Sequence, residues 1–302
     1  MQILIIRRTL LWRFLLLVCL LLHSSVAFVS RPSTTCSSTT HLFVANNNSV
    51  RPSSGVTSGL IATLAEQALR RRLQGQAYVK FDVTASSSDM LLQGRVGPVS
   101  VRGRTWKSPR GLTCRAIEAK VDVCELDMSK IVAQRKLLLT QPALGESFIA
   151  MNAHDFGNFL VHPLIRPPQV QQQVDSTTTT NGESVVIQFN SDHVTIDPVA
   201  KTVCFQGDFM NETWEFTLSR TNKQAVVTTK KSTTTTNDND NNDNAMALSQ
   251  AMTNFFNHLE VELDGTFLAY KDMSITDKGA SPSLMLKLGI TVYKFPAPGV
   301  PF

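Results

Sequence analysis

The sequence has little that would mark an enzyme. It contains no G-x-S-x-G, no H-E-x-x-H and no phosphate-cradling glycine loop. Three cysteines lie beyond residue 57, Cys114, Cys124 and Cys204, and none are paired as C-x-x-C, which argues against a zinc site. Their odd number excludes a complete disulfide framework, so buried free thiols are the simple reading. Excess positive charge is missing too. Five of the 29 basic residues fall in the first 57 positions, leaving 24 against 24 acidic residues. A neutral folded part lacks the surplus that a nucleic-acid binder needs. No acidic residue precedes Glu66.

That acid-free start has its own pattern. Arg7, Arg8 and Arg13 bracket an apolar run over residues 10–22, and Ser25-Val26-Ala27 offers small residues for cleavage. Residues 1–27 therefore read as a secretory signal peptide, with an uncleaved anchor as the alternative. Residues 28–57 are rich in Ser, Thr, Asn, Pro and Arg, as in transit peptides that must stay unfolded. A signal peptide, then Ala27-Phe28, then a transit-like stretch resembles the two-part presequence of algae with secondary plastids. The resemblance implies a plastid destination; the alternative is a secreted protein with an unstructured tail.

About 245 residues remain for folding, one large domain or two small ones. Residues 59–75 predict a helix. Ile61, Leu64, Ala65, Ala68, Leu69 and Leu73 recur at spacings of three and four, and Gly75 stands where a left-handed C-cap is wanted. Residues 77–84 alternate as a half-buried antiparallel strand, with Val79, Phe81 and Val83 on one face. Strands follow over 96–106, with Val99, Val101 and Gly103 inward, and over 112–126, with Ile117, Ala119, Val121 and Val123 inward. Asp127 or Ser129 caps a short helical turn over 130–134, and a strand covers 145–151. Asn152 with Asp155 three residues on predicts a capping box, and the helix it starts ends at His162-Pro163.

Residues 166–183 form a Pro-, Gln- and Thr-rich linker. Alternation resumes in four strands bearing Val185, Ile187, Phe189, Val194, Ile196, Val203, Phe205, Phe209, Trp214, Phe216 and Leu218. Residues 221–244 are rich in Thr, Asn and Asp and predict a disordered insert. Leu248, Met252, Phe255, Phe256 and Leu259 predict a second long helix, and strands over 261–270 and 283–292 end the domain. About ten strands and three helices without βαβ alternation make an α+β protein on antiparallel sheet. In this reading residues 58–165 are the first part of one domain and 184–302 a second sheet part of the same domain.

Two segments carry a family resemblance. Leu91-Leu92-Gln93-Gly94-Arg95-Val96-Gly97-Pro98-Val99-Ser100-Val101-Arg102-Gly103 resembles the glycine-punctuated hairpin of the LmeA-like phospholipid-binding family. Phe148 to Ile165, with Asp155-Phe156-Gly157-Asn158-Phe159-Leu160-Val161-His162-Pro163-Leu164, is similar to that family's strand, capped helix and "D-L-N-x-x-L-x-x-P-L" ending. The resemblance implies a curved sheet, a roll or half-barrel, wrapped around the long N-terminal helix. It further implies an apolar interior able to hold acyl chains, and no catalytic residues or cofactor.

Those residues make the expected lipid contacts Ile61, Leu64 and Ala68 on the helix, with Phe148, Phe156, Phe159 and Leu160 edging the cavity; the alternative is that they are plain core. Arg102, Arg104 and Trp106 share the outward face of their strand, with Lys107 and Arg110 in the following turn. Such a cluster suits anionic headgroups; the alternative is a solvated face, with Glu118 diagonal to Arg102 if residue 106 pairs with 112. His154-Asp155 invites an acid–base reading, but Asp155 is better used as the cap partner, and His193 falls in a strand with no nearby nucleophile. The expected function is non-enzymatic binding of a lipid or long apolar ligand; the alternative is a protein-interaction module with a solid core.

Overall fold

The computed structural model describes residues 56–84, 88–89, 93–134, 138–171, 184–232, 238–263, 265–277 and 281–294. The signal-like segment 1–27 and residues 28–55 of the transit-like segment lie outside them, as do Leu91, Leu92 and residues 233–237 of the expected insert.

The chain is an α+β protein dominated by antiparallel sheet. In order it runs α1 (Val56–Arg72), β1 (Tyr78–Val83), β2 (Arg95–Val96), β3 (Val99–Lys107), β4 (Thr113–Val121), β5 (Cys124–Glu125), α2 (Met128–Gln134), β6 (Leu138–Met151) and α3 (Ala153–Leu160). It continues with β7 (Gln169–Gln171), β8 (Ser184–Val186), β9 (Gln188–Asp197), β10 (Thr202–Phe209), β11 (Glu212–Thr221), β12 (Gln224–Lys231), α4 (Asp238–Asn257), β13 (Glu260–Leu263), β14 (Thr266–Thr276) and β15 (Ser283–Lys294). A seven-stranded sheet has the order β1-β3-β4-β6-β15-β14-β13, and a four-stranded one the order β12-β11-β10-β9. The C-terminal strands thus return to the first sheet, so residues 184–302 do not form a separate sheet unit. The middle strands β9–β12 are the inserted meander.

Alternation gives the large sheet two unlike faces. On one, Lys80, Arg102, Glu118, Phe148, Lys287 and Asp272 are successive cross-strand partners. The other carries Val79, Gly103, Ile117, Ile149, Leu286 and Met273 in the neighbouring row. Helix α3 starts as its sequence predicts. The Asn152 side chain accepts from Asp155 N at 2.8 Å, while Asp155 accepts from Asn152 N at 3.2 Å.

The main core forms where α3, α4 and the four-stranded sheet meet one end of the large sheet. Phe156 stacks near Phe256 (centroids 6.2 Å apart) and meets Phe205 edge-on at 5.8 Å, and Phe205 stacks on Phe216 at 5.3 Å. Such pairs add about 0.5–1.5 kcal/mol each beyond area burial. Gly157 lets α3 approach β9, because a Cβ there would collide with the Ser191 carbonyl. Helix α4 covers the open edge of the second sheet. Asn257 Oδ1 accepts from Ala225 N at 2.9 Å and its Nδ2 donates to Ala225 O at 2.8 Å, while Thr253 Oγ1 accepts from Val227 N at 2.9 Å. These side chains replace a missing neighbour strand and blunt an edge that would otherwise recruit other chains.

Several expectations need correction. Gly75 is not a left-handed cap; it bridges to Lys107 in an extended conformation. The stretch 221–244 is not one insert. Residues 224–231 form β12, with Ala225 and Val227 buried, since the apolar trio 225–227 anchors a run of β-branched residues. The single strand expected over 261–270 is a hairpin, turned at Gly265 with φ 87°. Helix α1 lies along the edge strand β1, and among the described residues none of its side chains belongs to the main core.

Candidate functional site

The apolar face of the large sheet is covered unevenly. Along β15, Leu284, Leu286 and Leu288 belong to the main core. The next two residues on the same face, Ile290 and Val292, belong instead to a separate small cluster with Cys124 and Ala143. The boundary between the two buried clusters, a seam bridged by half-buried Leu268, therefore crosses the sheet. Phe81, Val101, Ala119, Ser147, Leu288 and Tyr270 are successive partners along it. The adjacent row is Val83, Val99, Val121, Gly145, Ile290 and Leu268. Towards β1, β3 and β4 the side chains Phe81, Val99, Val101, Ile117, Ala119 and Val121 are only half-buried. Beside them runs α1, whose Leu64, Ala65, Ala68 and Leu69 are also half-buried. Arg70 ties this helix to the sheet edge, donating to Val79 O at 3.0 Å and pairing with Glu66 at 2.8 Å.

The expected contact residues separate into three groups. Leu64 and Ala68 lie on α1 beside the sheet edge; the side chain of Ile61 is outside the described residues. Phe156, Phe159 and Leu160 are closed into the aromatic core, at 0, 8 and 1 % exposed. They pack as core and do not edge a cavity with the others. Phe148 is on the opposite, charged face, 40 % exposed, with Lys287 Nζ 5.5 Å from its ring centre. Its parity with Glu118 and Lys287 puts it there, since a one-residue offset from Ile149 reverses the face.

The expected headgroup cluster also divides. Arg102 and Arg104 are exposed on the charged face, but Arg102 pairs with Glu118. Trp106 leaves them. Thr105, at φ 53°, interrupts the alternation, and the indole folds over Gly103, where a Cβ would strike Nε1 and Cε2. Gly103 is opposite Val79 and Ile117, so Trp106 joins the apolar face, with Nε1 donating to Tyr78 O at 3.1 Å. Lys107 and Arg110 are exposed at the β3–β4 turn.

Three titratable groups, Cys114, His154 and His162, lie on or beside α3. Burial, with the Asp155 charge adding to it, pushes the Cys114 thiol up to about 12, so its nucleophilic thiolate is suppressed. His162 is buried, accepts from Leu164 N at its Nδ1 (3.3 Å), and is held below the ordinary imidazole range by burial and by Arg110. His154 is exposed on the first turn, 3.2 Å from Asn158. Among the described residues there is no cluster of three or more His, Cys, Asp or Glu suited to a metal ion, and no helix long and apolar enough to cross a membrane.

One residue of the seam escaped the sequence reading: Ser147, the polar member of an otherwise apolar row. Its alternation with Gly145, Ile149 and Met151 was the available signal. Compared with known proteins, the chain matches no family model, no curated protein and no solved structure.

Proposed function

We propose that this protein binds a lipid or another long apolar ligand without transforming it, seating the chains on the seam of the apolar face between the large sheet and α1. The reading takes the sheet to curl as a roll or half-barrel towards that helix, as in the family its motifs resemble. One observation carries it. The buried residues of a continuous apolar face fall into two clusters bridged by half-buried Leu268, and towards α1 the same face carries half-covered Val, Ile, Ala and Phe. Exposed apolar area of this kind is what a ligand would remove from water, at about 0.8 kcal/mol per methylene buried. A ligand of two long chains would thus draw its affinity from length rather than from any single contact.

Contact with an anionic membrane surface is the second half of the reading, and it rests on Arg104, Lys107 and Arg110 at one end of β3. The leader supports delivery to a plastid by the secretory route. Native mass spectrometry and solvent extraction of the purified full chain test the proposal. Co-purifying lipid near one molecule per chain is expected. A lipid-free mass, with no uptake of added phospholipid, would overturn it and favour a protein-interaction module with a solid core.

A further inference from the structure

The chain carries two N-x-[ST] tripeptides, Asn47-Asn48-Ser49 and Asn211-Glu212-Thr213, each with a middle residue other than proline. This is the acceptor pattern for N-linked sugars on chains that enter the secretory route. The first lies outside the described residues. The second falls on the turn that joins β10 to β11, where Phe209 pairs with Glu212 and only Met210 and Asn211 lie between them. These two stand at φ 53° and 62°, as the tightest hairpin turn requires at both central positions.

The turn by itself accounts for an asparagine, which tolerates the left-handed conformation. Thr213 has a use of its own, since its Oγ1 donates to Asp208 Oδ1 at 2.7 Å across the ladder. What the fold adds is room. Asn211 is exposed, and its carboxamide makes no hydrogen bond among the described residues. Phe209 and Trp214 are buried on either side and anchor the tip from which it stands out. Asn152, Asn158 and Asn257, by contrast, are tied into the fold through their side chains, and none has Ser or Thr two residues on. The acceptor pattern thus coincides with an asparagine that a bulky polar group can occupy without displacing a packed neighbour.

We propose that Asn211 carries an N-linked oligosaccharide, added as the chain passes along the secretory route that its leader implies. Asn211 Nδ2 attacks the anomeric carbon of an oligosaccharide borne on a polyprenyl diphosphate. A C–N bond forms, the C–O bond to the diphosphate breaks, the diphosphate leaves, and Nδ2 gives up one proton to a base; nothing is oxidised or reduced. The sugar stands on the four-stranded sheet and not on the large one. The inference is independent of lipid binding and rests on the secretory reading of the leader.

Cell-free translation of the full chain with endoplasmic-reticulum microsomes tests it. The protease-protected wild type should shift in mobility on treatment with peptide-N-glycosidase. Asn211→Asp, which keeps a residue suited to the turn, should lack one glycan. Thr213→Ala should lack the same glycan and Thr213→Ser should retain it, while Asn47→Gln assigns the other acceptor separately. The sugar is added as the chain enters, so the readout does not depend on whether a variant folds. A protected chain whose glycan number is unchanged by Asn211→Asp would overturn the assignment and leave the secretory route in place. A chain that the microsomes do not take up would overturn both.

Discussion

Arg102 and Glu118 stand directly opposite each other on β3 and β4, Nε to Oε1 at 3.0 Å, with Trp106 opposite Cys114 four residues on. The register is two residues away from the one that would set this pair on a diagonal. The consequence is electrostatic: one of the two arginines of β3 is matched by a carboxylate directly across from it. An exposed pair of this kind contributes about 0–1 kcal/mol to stability, yet it removes one unit of charge from any anionic surface.

Vesicle binding should therefore respond unequally. Lys107→Glu or Arg110→Glu should weaken binding to phosphatidylglycerol vesicles at least about fivefold, since each basic residue near the surface contributes about 1 kcal/mol. Arg102→Ala together with Glu118→Ala should change it less than twofold. Co-sedimentation at two salt concentrations checks this. Equal losses at all three sites would show that the register does not control membrane contact.

Gly103→Ala places a methyl group into the Trp106 indole. The ring must swing away and release Tyr78 O. A cost of about 1–3 kcal/mol is expected from overpacking and the lost hydrogen bond. Urea unfolding should show a lower midpoint at unchanged slope. Trp106→Ala in the same background should abolish the penalty, because the two changes share one contact.

Asn257 offers a test of the covered edge. Asn257→Leu leaves the N–H and C=O of the fully buried Ala225 without partners. The loss should be about 2–4 kcal/mol, from two unsatisfied buried groups. The bare edge of β12 should also promote association at high concentration, read by light scattering. Retained stability would mean that water replaces the amide.

How much of this was readable beforehand depends on the range of the forces involved. The cap of Asn152 and Asp155 is local, and its residues alone specify it. The apolar parity of Val79, Phe81 and Val83 is clear because each neighbour is polar. Phe148 and Ile149 are both apolar, so in the sequence only Glu146, two residues before Phe148, marks the face, and Glu118 and Lys287 mark it across the sheet. Trp106 turned over because Thr105 takes a left-handed conformation, which no composition signals. Strand β12 hid behind threonine and lysine, while Asp264-Gly265 did carry a turn signal before β14. The seam could not be read at all: it depends on which elements cover which end of one face.

Ala119 decides whether that seam is open. It is half-buried, opposite Ser147, and packs against the smaller cluster. If the space beside it is unfilled, Ala119→Leu adds three carbons to a hollow that accepts them, and stability should rise by about 1–2 kcal/mol. If side chains already fill it, the same change overpacks the site and stability should fall by about 1–3 kcal/mol. The sign is thus informative where the magnitude is not. An open seam predicts a second effect in the same variant: lipid extracted from the purified protein should drop several-fold, because the new side chain occupies the ligand's place. A higher denaturant midpoint together with lower lipid content is the expected result. A destabilised variant that still carries lipid would mean that the ligand sits elsewhere.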